Sequence, residues 1–272
     1  QRSPSAVFGS ASDACANAVQ CASSAGQVRS VRSVVIAGSY SPRRAGRLRR
    51  SVHSAMDIDP ALLPPSERYK LLIGGIIPRP IALVSSISPD GRVNLAPFSF
   101  FNGVGSDPMT LLFCPANKPD GSDKDTLKNV LSPTEGGTGE FVVNTVSESF
   151  ARQMAACAEP MPHGESEFDL SGLTPAPSVR VRPPRVAESP LSFECITDRV
   201  IRLNPGVPAG GNIVIGRVVH VHARDGLINE RRHVDPAAMQ AIGRMGGLGY
   251  CRTRERFEMP MGRPALDLPD PF

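Results

Sequence analysis

The chain has little aromatic character and lacks several familiar nucleotide and hydrolase motifs. Phe and Tyr account for 5% of its 272 residues, and Trp is absent. No GxGxxG follows a predicted strand, and neither GxxxxGK[ST], HExxH nor GxSxG occurs. These absences argue against a Rossmann or P-loop site, a zinc protease of that type and a hydrolase with a standard triad. No apolar run reaches the ~18 residues that a membrane-spanning helix needs, so no membrane partner is expected.

Cysteine is present but forms no recognisable metal-binding or redox pattern. None of the six cysteines belongs to a CxxC pair, and no histidine stands at zinc spacing beside them. The four cysteines after residue 55 are therefore predicted to be reduced, mostly buried thiols of an intracellular protein. They are Cys114, Cys157, Cys195 and Cys251.

Positive charge is concentrated at the start of the chain. Residues 1–55 hold eight arginines and one acid, a net charge of +7, whereas the rest of the chain carries −3. The mildly acidic body does not predict a nucleic-acid surface. The first 55 residues are also Ser-rich and contain one leucine, so we expect them to be disordered. They match an organellar transit peptide in composition, or they are a translated leader that the working protein lacks. Location is accordingly predicted as cytoplasmic, or as mitochondrial or otherwise organellar if the transit peptide is genuine.

Residues 56–272 are predicted to form one mainly β domain. The high counts of 25 glycines and 27 prolines favour many turns over a helical bundle. A short helix is predicted from Ser66, a second begins near Lys124 with Asp123 or Asp125 as its N-cap, and a third begins at Ser147. A long irregular loop is predicted over 159–185. Strands are predicted at 81–87, 92–96, 109–114, 140–146, 191–203 and 213–223. Six or seven strands with two or three short helices predict a closed or half-closed antiparallel barrel.

The segment NLAPFSFF, residues 94–101, is the first candidate binding element. Pro97 lacks a backbone donor, so we expect strand pairing to end there and leave backbone groups free for a ligand. Asn94 and Ser99 offer polar side chains, and the phenylalanines offer contacts to a planar ring. A strand exit with at least one phenylalanine in the core is the competing interpretation.

Lys124-Asp125-Thr126 is the second candidate element. A lysine and a threonine at a predicted helix start favour an anion such as a phosphate. A solvated helix cap, without ligand, is the more common role of such a sequence.

The histidines give a weaker signal. His220 and His222 alternate on one predicted strand and therefore face the same side. A metal site there needs further ligands, which the sequence does not identify, so a solvated or interface role is expected. His163 lies in the long loop and is interpreted as a lid residue or a plain loop residue.

The order of these segments resembles the flavin reductase-like domain family, of the flavoredoxin and nitrilotriacetate monooxygenase component B type. The resemblance runs from about Tyr69 to Pro260 through IIPRPIALVSS, a DG turn, NLAPFSFF, KDT and GEFVVN. It continues through Ser166-Glu167-Phe168, PPRVAESP at 183–190 and Ile215-Gly216.

The resemblance implies a Greek-key split β-barrel that binds FMN non-covalently near a homodimer interface. Lys124 and Thr126 would hold the phosphate, with Asp125 as the cap. The residues implied to line the flavin are Arg79, Ser85, Ser86, Asn94, Leu95, Ala96, Pro97, Phe98, Ser99, Phe100 and Phe101.

The resemblance also implies a function, with one departure. NAD(P)H-dependent flavin reduction is the leading hypothesis, with supply of electrons to a partner monooxygenase as its extension. Many reductases of the wider family carry a late Gly-Asp-His element, whereas this chain has GGLGY at 246–250. A flavoredoxin-like FMN electron carrier without NAD(P)H use therefore remains an alternative. A flavin- or haem-binding sensor or scaffold on the same barrel is a third, although no axial haem ligand is evident.

Overall fold

The computed structural model describes residues 56–161 and 165–268. The predictions for residues 1–55 and for His163 lie outside these residues and stay predictions. Within the described part of the chain, no helix is long and apolar enough to cross a bilayer.

Strands dominate the described chain, and the helices are short. The helices are α1 (Pro65–Gly75), α2 (Asp125–Val130), α3 (Ala151–Ala156), α4 (Glu167–Ser171) and α5 (Pro236–Met239). The long strands are β1 (Ala82–Ile87), β2 (Val93–Phe98), β3 (Phe101–Ser106), β4 (Met109–Phe113), β5 (Glu140–Thr145), β8 (Leu191–Arg202) and β9 (Asn212–Ala223). Four shorter strands are β6 (Pro175–Ala176), β7 (Arg185–Val186), β10 (Ile242–Arg244) and β11 (Tyr250–Arg252). Turns of 3-10 helix occur at Pro60–Leu62, Pro133–Glu135, Glu148–Phe150 and Arg263–Asp267.

Seven strands form one antiparallel sheet in the order β2-β1-β5-β8-β9-β4-β3. The sheet curls on itself, because Phe98 of β2 and Phe113 of β4 lie near opposite ends of this order and yet pack at 5.1 Å between ring centroids. Phe141 of β5 also packs on Phe113, at 5.3 Å between ring centroids. Leu127 and Val130 of α2 join the same buried cluster. The predicted mainly β, barrel-like fold is confirmed.

The β1–β2 hairpin turns at the predicted Pro89-Asp90-Gly91 sequence. Gly91 has φ +88°, a left-handed conformation that glycine adopts without steric cost. Its N–H donates to Ser88 O at 3.0 Å, and Ser88 N–H donates to Arg92 O at 2.9 Å. This closed turn fixes the register that pairs Ser86 with Asn94.

Strand β2 continues through Pro97, contrary to the prediction that pairing would end there. Pro97 pairs with Leu83, and Phe98 pairs with Ala82. Because β2 is an edge strand, a residue without an N–H can lie within it at no cost in sheet hydrogen bonds.

One further sequence prediction is wrong, and one strand was not predicted. The segment predicted as the irregular loop 159–185 contains helix α4 and strand β6. Residues 101–106, which were not predicted as a strand, form β3 and pair with β4. Helices α3 and α4 cover one face of β1 and β2, where Leu83, Leu95 and Phe168 share a second buried cluster.

Candidate functional site

The two candidate binding elements meet in the folded protein. Asn94 Nδ2 donates to Thr126 Oγ1 at 2.8 Å, which joins the start of β2 to the first turn of α2. Thr126 is buried, and Asn94 is half-buried. The hydroxyl hydrogen of Thr126 is not needed for this bond and is available to an acceptor.

Lys124 occupies the N-cap position of α2 and makes no side-chain capping bond. The predicted caps, Asp123 and Asp125, are both used elsewhere. Asp123 forms a two-bond ion pair with Arg202, at 2.8 and 2.7 Å. Asp125 accepts from Lys118 at 3.3 Å and from Lys128 at 3.2 Å. The capping role proposed for Asp125 is therefore wrong, whereas the exposed Lys124 side chain has no hydrogen bond or ion pair with any described residue.

Glu167 of α4 holds the open edge of β2. Its Oε2 accepts the backbone N–H of Leu95 at 2.9 Å, which satisfies an edge donor that no neighbouring strand reaches. Burial raises the pKa of the Glu167 carboxyl, although the Leu95 N–H opposes the shift. The sequence predicted a loop at Glu167 and no contact with β2. Only the packing of α4 against β2 brings the carboxylate to the strand.

A groove of about 400 Å³ lies beside Asn94 and between the β1–β2 turn, α2 and the start of α4. Its lining is strongly charged, and four of its six charged side chains are acidic. Its charged lining consists of Asp90, Arg92, Asp125, Lys128, Glu165 and Glu167.

Arg79 forms a buried clamp at the other end of β2. Its side chain donates to Ser99 Oγ at 3.2 Å, to Ile76 O at 2.9 Å, to Met245 O at 3.1 Å and to Ile73 O at 2.5 Å. The residue is 4% exposed, and burial lowers the pKa of its guanidinium. Ile73 lies in the last turn of α1, where unpaired carbonyls favour a cation. These four bonds leave one of the five guanidinium N–H donors for another acceptor.

A second cavity, of about 250 Å³, opens beside Arg79. Pro97 and Ser99 of the β2 end form one wall. Tyr250 forms part of another wall, with the guanidinium of Arg244 stacked 4.4 Å from its ring centroid. The lining contains no histidine and no acidic side chain. From the sequence, Tyr250 was expected to cover the flavin or to pack in the dimer. Arg244 was given no role, because β10 reaches this cavity only through tertiary contacts.

The remaining predicted residues are either buried or half-buried. Ser85 and Ser86 have no exposed surface. Ser85 Oγ donates to Pro184 O at 2.5 Å, and Ser86 Oγ accepts from Asn129 Nδ2 at 3.0 Å. The side chains of Leu95 and Phe98 are buried, so the core interpretation of one phenylalanine is confirmed. Ala96, Phe100 and Phe101 are half-buried. Phe100 lies 5.8 Å from the Arg79 guanidinium.

Comparison with known proteins identifies the family. The model of the flavin reductase like domain matches residues 74–242. Nitrilotriacetate monooxygenase component B from Bacillus cereus is 33% identical, with a TM-score of 0.70 over 76% of this chain and 100% of that chain. The 2-nitrobenzoate 2-nitroreductase of Pseudomonas fluorescens is 32% identical, with a TM-score of 0.67 over 80% and 100% of the two chains.

A structure from Shewanella frigidimarina that is described as having a split barrel domain shares the fold. It has 21% identity and a TM-score of 0.65, over 76% of this chain and 100% of that chain. The curled seven-stranded sheet is thus a split barrel, as the resemblance implied. The chain belongs to the flavin reductase-like domain family and is a flavin-related oxidoreductase.

Proposed function

We propose that this protein binds FMN along the open edge of β2 and catalyses NAD(P)H-dependent flavin reduction. The Asn94–Thr126 hydrogen bond carries this proposal, because it unites the segment proposed for the ring with the segment proposed for the phosphate. Membership of the flavin reductase-like family supports the flavin itself.

The dimensions of the β2 edge suit a flavin mononucleotide. Asn94 and Phe98 are four residues apart, which is about 14 Å along a strand, and Ser99 follows directly. The Asn94–Thr126 contact and the Arg79 cavity lie at the two ends of this edge. Pro97 and the Glu167-bound Leu95 N–H leave the intervening backbone without a neighbouring strand. A long, flat ligand would therefore lie beside an edge from which Pro97 and Glu167 exclude an eighth strand.

The described residues offer suitable partners at both ends of such a ligand. Lys124 supplies an unpaired ammonium, and Thr126 supplies a hydroxyl hydrogen, both of which suit a phosphate. At the other end, Arg79 has one N–H to spare for a ring oxygen, and Ser99 is fixed by Arg79 Nε. A bound flavin would supply the hydride and electron transfer, while these residues orient it. The buried Ser85, Ser86, Leu95 and Phe98 support the edge from behind.

We propose that the reduced flavin passes its electrons to a partner monooxygenase. The supporting observation is the 33% identity to component B of a nitrilotriacetate monooxygenase, which matches over the full length of that protein.

We also assign a homodimer to the working protein. An apolar groove on β3 and β4 includes Val104 and Met109, both well exposed. The C-terminal segment of the same chain exposes Met261 and Leu266. Two apolar surfaces on one chain suit a self-complementary contact between two copies.

The electron-carrier alternative has one specific observation in its favour. The Arg79 cavity contains no acidic side chain or histidine among its lining residues, and GGLGY replaces the Gly-Asp-His element beside it. An electron carrier needs a held flavin but no nicotinamide site.

Spectroscopy of the full-length protein tests both functions. The protein should gain flavin absorbance when FMN is added. Stopped-flow mixing with NADH or NADPH should then bleach that absorbance. When free flavin is also supplied, the protein should reduce it over many turnovers. Bound flavin without bleaching would support the carrier. A protein that neither carries nor acquires FMN absorbance would refute both.

A further inference from the structure

We propose that Glu194, His220 and His222 form a binding site for a divalent transition-metal ion, separate from the proposed flavin site. The three side chains lie on the adjacent strands β8 and β9. The sheet register pairs Glu194 directly with His220, and His222 follows two residues later on the same side. One ligand atom from each residue lies within 4.8 Å of the other two.

Glu194 is positioned as a metal ligand should be. Its side chain has no exposed surface. Its Oε1 accepts the backbone N–H of Val179 at 2.7 Å, and its Oε2 accepts that of Arg180 at 2.6 Å. These bonds fix the orientation of the carboxylate, as outer-shell partners do around metals in proteins.

A simple ion pair between Glu194 and His222 explains only part of the cluster. His222 Nε2 lies 2.5 Å from Glu194 Oε1. His220 is half-buried, its ring centroid lies 4.7 Å from that of His222, and neither of its ring nitrogens has a hydrogen-bond partner among the described residues. A shared metal ion would engage both rings, since imidazole nitrogen is the commonest metal ligand in proteins.

The ligand set indicates which metals fit. Two imidazoles and one carboxylate form the protein ligands of many catalytic zinc sites and of non-haem Fe(II) sites with open positions. His222 also borders a cavity of about 320 Å³, which gives the open positions access to water or a small ligand. Calcium and magnesium, which prefer oxygen ligands, are not expected.

Metal titration of the full-length protein tests the proposal. The protein is first treated with a chelator and then titrated with Zn²⁺ by calorimetry, and with Co²⁺ by visible absorbance, in the presence and absence of FMN. We expect one site whose affinity falls by more than about 100-fold in His220→Ala, because losing even an outer-shell partner costs about 10–100-fold. His222→Ala should show a similar loss.

Matched variants separate this site from other metal-binding groups. His233→Ala removes an exposed histidine that lies outside the cluster and should leave the affinity unchanged. His220→Gln keeps a similar polar volume and replaces His220→Ala if that variant unfolds. Equal Zn²⁺ and Co²⁺ affinities in the wild type and in both cluster variants would overturn the proposal, as would a wild type that binds neither ion. Because the readout is metal affinity, failure of the flavin assignment would not affect it.

Discussion

Two residues, Pro97 and Glu167, prevent a further strand from pairing with the edge of β2. Edge strands attract further strands, and proteins protect them with prolines or with groups that occupy the free donors. This chain does both, through Pro97 and through the Glu167 carboxylate on Leu95 N–H. The sequence predicts the proline's effect only in part, because whether a proline interrupts a sheet depends on which side of the strand has a neighbour.

Lys124→Ala should weaken FMN binding by about 10–100-fold, as expected for loss of a charge-assisted hydrogen bond of about 1.5–3 kcal/mol. Riboflavin, which lacks the phosphate, should be affected by less than about 3-fold. Fluorescence titration with both ligands measures the difference. Lys118→Ala, which removes a lysine that also pairs with Asp125 but lies outside the lining of the Asn94 groove, is the matched control. Equal losses for FMN and riboflavin would remove Lys124 from the phosphate site.

Glu167 should make stability depend on pH in a definite direction. Its pKa is raised in the folded protein, so its contribution is full below its ordinary pKa of 4.5 and is lost as pH rises through the raised value. Glu167→Gln should remove this dependence while keeping an acceptor for Leu95 N–H. Glu167→Ala should cost about 1–3 kcal/mol, because that N–H loses its partner. Urea unfolding from pH 4 to 8 measures all three proteins, and parallel wild-type and Gln curves would contradict the assignment.

Strand pairing and the packing of a helix on the sheet bring together groups that lie far apart in the chain. The contact of β2 with α2 joins Asn94 to Thr126, and the β8–β9 register joins Glu194 to His220. The strands themselves were largely predictable, since most of them alternate or form short apolar runs between turn residues. Strand β3 was missed because FNGVGS contains two glycines and little apolar character, so only its pairing with β4 defines it.

Gly216 of β9 should tolerate no side chain. A Cβ at this position would overlap Phe141 Cζ and lie 3.3 Å from Cys195 Cβ, inside the barrel core. Gly216→Ala should therefore destabilise the protein by about 1–3 kcal/mol, the usual cost of overpacking. Gly211→Ala, where the nearest atom would lie 3.6 Å away, is the control. Thermal or urea unfolding measures both, and equal stabilities would show that the core yields at Phe141.

The barrel exposes apolar surface among the residues that the structure describes. The groove on β3 and β4 and the C-terminal segment both expose large apolar side chains in the described part of the chain. Surface of this kind is typical of an interface.

Val104→Asp should convert the proposed dimer to a monomer, because it places a charge in the apolar groove of the contact. Light scattering after size exclusion should show a twofold fall in mass. Val207→Asp changes the same residue type at an exposed position outside the groove and should leave the mass unaltered. A wild type that already elutes as a monomer would refute the homodimer.

The sequence by itself determined the mainly β domain, most of the strands and the family, because turn residues and apolar periodicity are local and because several motifs stand in a distinctive order. It also identified both segments that meet at Asn94 and Thr126. Only the tertiary structure decided which of the candidate residues are buried, that Glu167 caps the β2 edge and that Glu194 faces two histidines. These features depend on strand register and on packing between distant segments, which local sequence does not encode. Residues 94–98 of NLAPFSFF thus form an edge of the sheet in which Leu95 and Phe98 are buried, because pairing with β1 sets their register.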